Sequence, residues 1–136
     1  MEGSDSLSLV LFSGTDDKLA AAAILAAGAA MMGRRVNVFL QYWALDSFRK
    51  DRIHRDHGAV PEAGAEGARL VERSEKKQSW SDVLLQAKDV GELRITACAK
   101  SMELLDITKD DLDPIVDEVG GVAAFMAEAT GPITFI

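Results

Sequence analysis

The chain has 136 residues, 48% of them hydrophobic, a single cysteine and a formal net charge of −7. That length and composition suffice for one domain with its own apolar core, and one cysteine excludes an internal disulfide. The negative charge opposes phosphate backbones, and the scattered basic residues lack the aromatic interleaving of nucleic-acid grooves, so no nucleic-acid partner is expected.

Residues 1–6 are polar and acidic where a secretory leader would be basic, so the expected compartment is a reducing cytoplasm. Residues 7–12 (LSLVLF) form an apolar run that breaks at Ser13-Gly14-Thr15, the pattern of a buried strand and a turn. Thr15 stands where it can cap the following helix, and Asp16 and Asp17 fall in the first turn, where the helix dipole favours negative charge. The alanine-rich residues 19–33 read as that helix, with Gly33 as its stop. Bracketed by Asp16, Asp17 and Lys18 before and Arg34 and Arg35 after, this run is too short and too weakly apolar to span a bilayer, and no membrane partner is expected. Alanine on nearly every face, with Ile24, Leu25, Met31 and Met32, predicts close packing against a sheet or another subunit.

Val36–Leu40 (VNVFL) reads as a second strand covered on both faces, which completes a βαβ unit. Residues 41–44 read as the loop at its end. Residues 49–77 lose the apolar pattern to charges, two histidines, Pro61 and glycines, and read as an exposed loop followed by a polar helix over about residues 66–76. Ser79-Trp80-Ser81 is a plausible cap for a helix over residues 82–90 that closes at Gly91. Residues 93–97 read as a third strand and residues 101–105 as a helical turn just after Cys98. Thr108 and Asp111 have capping-box spacing, with a short helix through Leu112 before Pro114. Residues 115–119 read as a short strand, 121–129 as a small-residue helix and 133–136 as a terminal strand. The alternation predicts an α/β fold, with a mostly parallel central sheet of about five strands between helix layers, in one domain over residues 1–136.

In parallel sheets, ligands and reactive groups gather beyond the carboxyl ends of the strands. Residues 13–15, 41–44 and 98–101 all fall there, with the Cys98 thiol between them. A thiolate is the nucleophilic form, favoured by a helix N-terminus or a basic neighbour, and Ser101 begins a helical turn while Lys100 lies two residues away. Such a thiolate takes up sulfane sulfur as a persulfide, or reacts with peroxide to give a sulfenic acid. On spacing alone, a free cysteine is more often a small buried hydrophobe. Ser13, Gly14 and Thr15 before a helix offer backbone N–H groups to a small anion such as thiosulfate or phosphate, but a plain capped turn explains them as well, and the spacing is not that of a P-loop. Trp43 walls the pocket or packs at a subunit interface. His54 and His57 are spaced H-x-x-H, yet no further ligands cluster near them, so a solvated loop is expected and no metal. Asp16 and Asp17 are expected to be helix-start charges rather than a catalytic pair.

Phe12-Ser13-Gly14, Asp17-Lys18, the alanine-rich helix through Gly33, Val36–Leu40 and Tyr42-Trp43, followed by Ile95-Thr96-Ala97-Cys98, Ser101-Met102, Asp111-Leu112, Gly120-Gly121-Val122-Ala123 and Phe135-Ile136, resemble DsrE/DsrF/TusD-like proteins, in the branch labelled peroxiredoxin-like. The resemblance spans the chain outside a variable charged insertion at about residues 53–79, where membrane-associated relatives carry an apolar hairpin. It implies a three-layer α/β sandwich, a homo-oligomer (trimer, tetramer or hexamer), and a sulfur-carrier or sulfurtransferase role in which Cys98 bears sulfur as a persulfide or thiosulfonate. TusA-like and rhodanese-like proteins and small sulfur-containing anions are the implied partners, and thiolate attack needs no metal or organic cofactor. A second cysteine found in some relatives is missing here, which excludes an intramolecular disulfide relay. Asp106 stands where relatives have glycine and is expected to place negative charge near the thiol. Two other functions stay open: a non-catalytic oligomeric module that binds a small anion or nucleotide, and a thiol peroxidase that relies on an external thiol.

Overall fold

The computed structural model describes residues 6–136. The leader reading of residues 1–6 therefore lies, Ser6 apart, outside the described residues. In chain order the elements are β1 (Leu7–Leu11), α1 (Asp16–Met31), β2 (Val36–Leu40), α2 (Tyr42–Ser47), α3 (Gly64–Lys77), α4 (Trp80–Val90), β3 (Leu93–Cys98), α5 (Ala99–Leu105), β4 (Glu118–Gly120), α6 (Val122–Glu128) and β5 (Ile133–Phe135), with 3-10 turns at Pro61–Ala63 and Lys109–Asp111.

The strands form one sheet in the order β4-β3-β2-β1-β5, and every pairing is parallel. The steps from β1 to β4 all run in one direction, so right-handed crossovers place α1, α4 and α5 on one face. The return from β4 to β5 carries α6 to the other face. Side chains alternate accordingly. Leu9, Leu11, Val36, Val38, Leu40, Leu93, Ile95 and Ala97 join the large core with the buried side of α1 and with Trp80, Leu84 and Ala87 of α4. Val10, Phe39 and Cys98 face the other way into a small cluster closed by Phe125 of α6. The three-layer α/β sandwich is thus present, with an all-parallel sheet and one thin layer. Among the described residues no helix is long and apolar enough to cross a membrane.

The alanines of α1 let it sit close to α4: Gly91, just past α4, approaches Ala30 so tightly that a Cβ there would lie 3.0 Å from the Ala30 carbonyl oxygen. Ile24, Leu25, Met31 and Met32 point away from this contact and are exposed.

Several expectations change. Residues 42–47 are a helix rather than a loop. Thr15 occupies the N-cap position of α1 without capping it; its hydroxyl pairs with Ser13 at 3.3 Å, and the first helical N–H, that of Asp16, donates to Gly58 O at 2.9 Å. The strand expected over residues 115–119 begins only at Glu118, because Asp113 draws residues 113–116 into a turn by accepting from the Ile115 N–H and, through its carbonyl, from Val116 N–H. The Thr108–Asp111 capping box forms, with both reciprocal hydrogen bonds. The stretch after α2 is not wholly exposed, since Phe48 and Ile53 are buried in the large core.

Candidate site at the carboxyl end of the sheet

The turn after β1, helix α2 and the β3–α5 junction meet at the carboxyl end of the sheet. Gln41 N–H donates to Leu11 O and Ala44 N–H to Phe12 O, both at 2.9 Å, so α2 starts directly against the end of β1. The Ser47 hydroxyl donates to Gly14 O at 2.9 Å. A Cβ on Gly14 would overlap the Trp43 carbonyl oxygen and the Ser47 hydroxyl, which accounts for glycine at that turn.

Cys98 is both the last residue of β3 and the N-cap of α5, where its sulfur accepts the Ser101 N–H at 3.4 Å. A thiolate gains from a donor in this position, as N-cap oxygens do. Ser101 is buried, and its hydroxyl accepts the Tyr42 N–H at 3.2 Å, which ties the end of β2 to the first turn of α5. Tyr42 holds φ 44, a left-handed conformation that costs a bulky residue energy and needs its surroundings to maintain it. No composition or spacing signal marked that strain. Rings line this edge: Phe12 lies 5.0 Å from Tyr42 and 5.8 Å from Phe135, and Tyr42 lies 6.2 Å from Trp43, centroid to centroid. Tyr42, Trp43 and Phe135 are exposed.

Of the sequence-derived site residues, Ser101 touches Cys98 directly, whereas Ser13, Gly14 and Thr15 are linked instead to one another and to α2. Lys100 is exposed and makes no hydrogen bond or ion pair among the described residues. The anion cradle expected at residues 13–15 has one of its donors engaged, since Ser13 N–H donates to Ile136 O. Asp106 closes α5 at the end away from Cys98, in the left-handed conformation that glycine adopts freely. A seven-residue helix spans about 10 Å, so the expected negative charge beside the thiol lies a helix length away. The thiol itself is shut in: Cys98 is 4% exposed.

Asp16 stands in the first turn of α1, as expected, yet water does not surround it. It is buried, and its two oxygens accept the Trp80 indole N–H at 2.9 Å and the His57 backbone N–H at 2.8 Å. Burial pushes the Asp17 carboxyl up, but bonds from the Thr15 side chain and from Val60 and Lys18 N–H outweigh it and hold the group below its usual value. His57 uses both ring nitrogens within the loop, Nε2 toward Arg52 O at 2.8 Å and Nδ1 toward the Ser47 hydroxyl at 3.4 Å. A groove of about 660 Å³, lined by Arg35, Asn37, Arg94, Glu128 and Thr130, lies at the opposite, amino end of the strands, away from this chemistry.

Residues 3–64 match the model of the DsrE/DsrF/DrsH-like family. The likeness to that family takes in just under half of the chain. The matched segment carries β1, α1, β2 and α2; Cys98 lies beyond it. The chain is similar to the uncharacterized protein YrkE of Bacillus subtilis (strain 168), 28% identical over 144 residues and covering 89% of each. It is also similar in structure to the protein of unknown function MTH1491 from Methanobacterium thermoautotrophicum, with a TM-score of 0.49, 17% identity, and 96% of this chain and 98% of that one covered.

Proposed function

We propose that this chain is a cytoplasmic sulfur carrier in which Cys98 takes up sulfane sulfur and passes it to a partner protein of the TusA-like or rhodanese-like kind. The observation that carries the reading is the position of Cys98 in a DsrE/DsrF-like fold: a thiol at the carboxyl end of β3 that caps α5 and accepts the Ser101 N–H. In the loading step the thiolate attacks the outer sulfur of a polysulfide or thiosulfate. The donor S–S bond breaks, its electron pair leaves with the shorter polysulfide or with sulfite, and Cys98 becomes a persulfide. An acceptor thiolate then attacks the terminal sulfur and regenerates Cys98. No metal or organic cofactor enters either step.

A homo-oligomer belongs to the same proposal. The exposed Ile24, Leu25, Met31 and Met32 on α1 are the kind of apolar surface that subunits cover.

The burial of Cys98 favours a second reading, a non-catalytic oligomeric module whose pocket holds a small anion or nucleotide while the cysteine serves as packing. Thiol peroxidase activity stands further off, since the single cysteine leaves no resolving partner within the chain. The deciding experiment is intact-protein mass spectrometry of reduced wild type and Cys98→Ala after incubation with polysulfide, thiosulfate or tetrathionate. A reductant-labile gain of one sulfur atom on wild type alone supports the carrier. A thiol that stays unmodified until the protein is denatured rules the carrier out and leaves the binding module.

A further inference from the structure

One short helix contributes a ring to the cluster that buries the thiol. Cys98 shares one apolar cluster with Val10, Phe39 and Phe125, of which the first two belong to the sheet, and the half-buried Ala129 and Ile133 pack against its edge. Phe125 is the one residue that α6 buries, at 6% exposure, and its ring stacks on Phe39 with centroids 4.7 Å apart and planes inclined by 18°. The other six residues of α6 are exposed. The helix has no side-chain cap at Gly121, and seven residues are too few to hold a helix in water without packing. Glycines flank it on both sides: Gly120, paired with Cys98 in the sheet, and Gly121 at its start, and Gly131 with φ 89 beyond its end. The hinge on the entry side therefore begins beside the sulfur.

We propose that α6 is a lid over Cys98, pinned by the Phe125 ring and hinged at Gly120–Gly121 and Gly131, and that its local opening in the folded protein is what admits a reactant to the thiol. This rests on the reading of Cys98 as the reacting group, and supplies the access which that reading requires of a buried sulfur. Elements held by one buried side chain open with far less free energy than the core around them.

The test is the rate of Cys98 alkylation by iodoacetamide, followed by mass on wild type, Phe125→Ala and Phe125→Leu, with and without urea well below the unfolding transition. With one cysteine in the chain the site of reaction is unambiguous. Wild type should react at a rate almost independent of urea, because lifting one short helix exposes little surface. Phe125→Ala should react about 10- to 100-fold faster, the scale of removing one buried phenyl group, and Phe125→Leu should fall between. The lid is ruled out if the wild-type rate climbs with urea as steeply as global unfolding does, or if folded Phe125→Ala reacts no faster. Should Phe125→Ala not fold, the urea dependence of wild type decides alone. Iodoacetamide carries no sulfane sulfur, so the two proposals fail separately. Rapid urea-insensitive alkylation without any sulfur adduct removes the carrier and keeps the lid, whereas a sulfur adduct that forms equally fast on wild type and Phe125→Ala removes the lid and keeps the carrier.

Discussion

The backbone N–H of Tyr42 donates to the Ser101 hydroxyl at 3.2 Å, joining two residues 59 positions apart in the chain. The bond helps hold Tyr42 at φ 44, and the same serine donates its own N–H to the Cys98 sulfur. Ser101→Ala keeps the N–H to sulfur and removes only the acceptor for Tyr42. A part-buried donor without a partner costs about 1–2 kcal/mol, so the urea midpoint should fall at an unchanged slope. An unmoved midpoint would show that the hydroxyl contributes nothing to holding Tyr42.

Asp16 offers a sharper loss. Its carboxylate serves two donors from different segments, the Trp80 indole and the His57 backbone. Asp16→Asn retains one carbonyl oxygen and turns an NH₂ group toward the other donor, so destabilisation by about 2 kcal/mol is expected. Urea unfolding followed by tryptophan fluorescence measures it. Asp17→Asn, at a half-exposed position, should cost clearly less, and equal losses would contradict the assignment of Asp16 as the buried anchor.

Ser8 carries a hydroxyl buried inside the sheet with no hydrogen-bond partner among the described residues. Replacing an unpaired buried hydroxyl with hydrogen removes a desolvation cost, so Ser8→Ala should stabilise the fold by about 1 kcal/mol. A rise in the thermal midpoint checks this, and a fall would mean that the hydroxyl has found a partner in solution.

Glu75 should make stability depend on pH. Burial pushes its carboxyl above the ordinary 4.5; the Trp80 N–H bond opposes this, and the charges of Asp16 and Asp82 add to it. The folded chain thus holds this proton more tightly than the unfolded chain. As pH rises from below the ordinary value through the raised one, the contribution of Glu75 to stability falls, and the penalty is complete at neutral pH. Glu75→Gln keeps an oxygen for the Trp80 N–H and cannot ionise. At neutral pH it should be more stable than wild type by about 0.3–0.5 kcal/mol, the scale of a solvent-screened interaction. The gap should close as pH drops below the ordinary glutamate range; one of constant size at all pH values would rule this origin out.

Much of the architecture is written locally. Val36–Leu40 is a strand at the expected residues, Gly33 ends the alanine helix at φ 80, and the Thr108–Asp111 capping box closes as its spacing implies. Apolar periodicity, caps and glycine stops act over a few residues, so they can be read without knowing what packs where. Helix α2 escaped such reading because it is anchored from outside: its entry residue Gln41 bonds to Leu11, and Tyr42 is held by Ser101. Asp16 is a helix-start charge as expected, but its burial could not be read, because its partners, Trp80 and the His57 backbone, arrive from distant segments.

The candidate site divides in the same way. The sequence by itself determined that a lone cysteine stands where a strand gives way to a helix, since that depends only on the composition of neighbouring residues and on the family resemblance they carry. Tertiary structure alone decided that the sulfur is buried. The return from β4 to β5 crosses the far face of the sheet, and there α6 sets Phe125 against Phe39 in the cluster that holds Cys98. Chain direction and packing between distant segments, which no local pattern records, bring that ring and the thiol into one cluster.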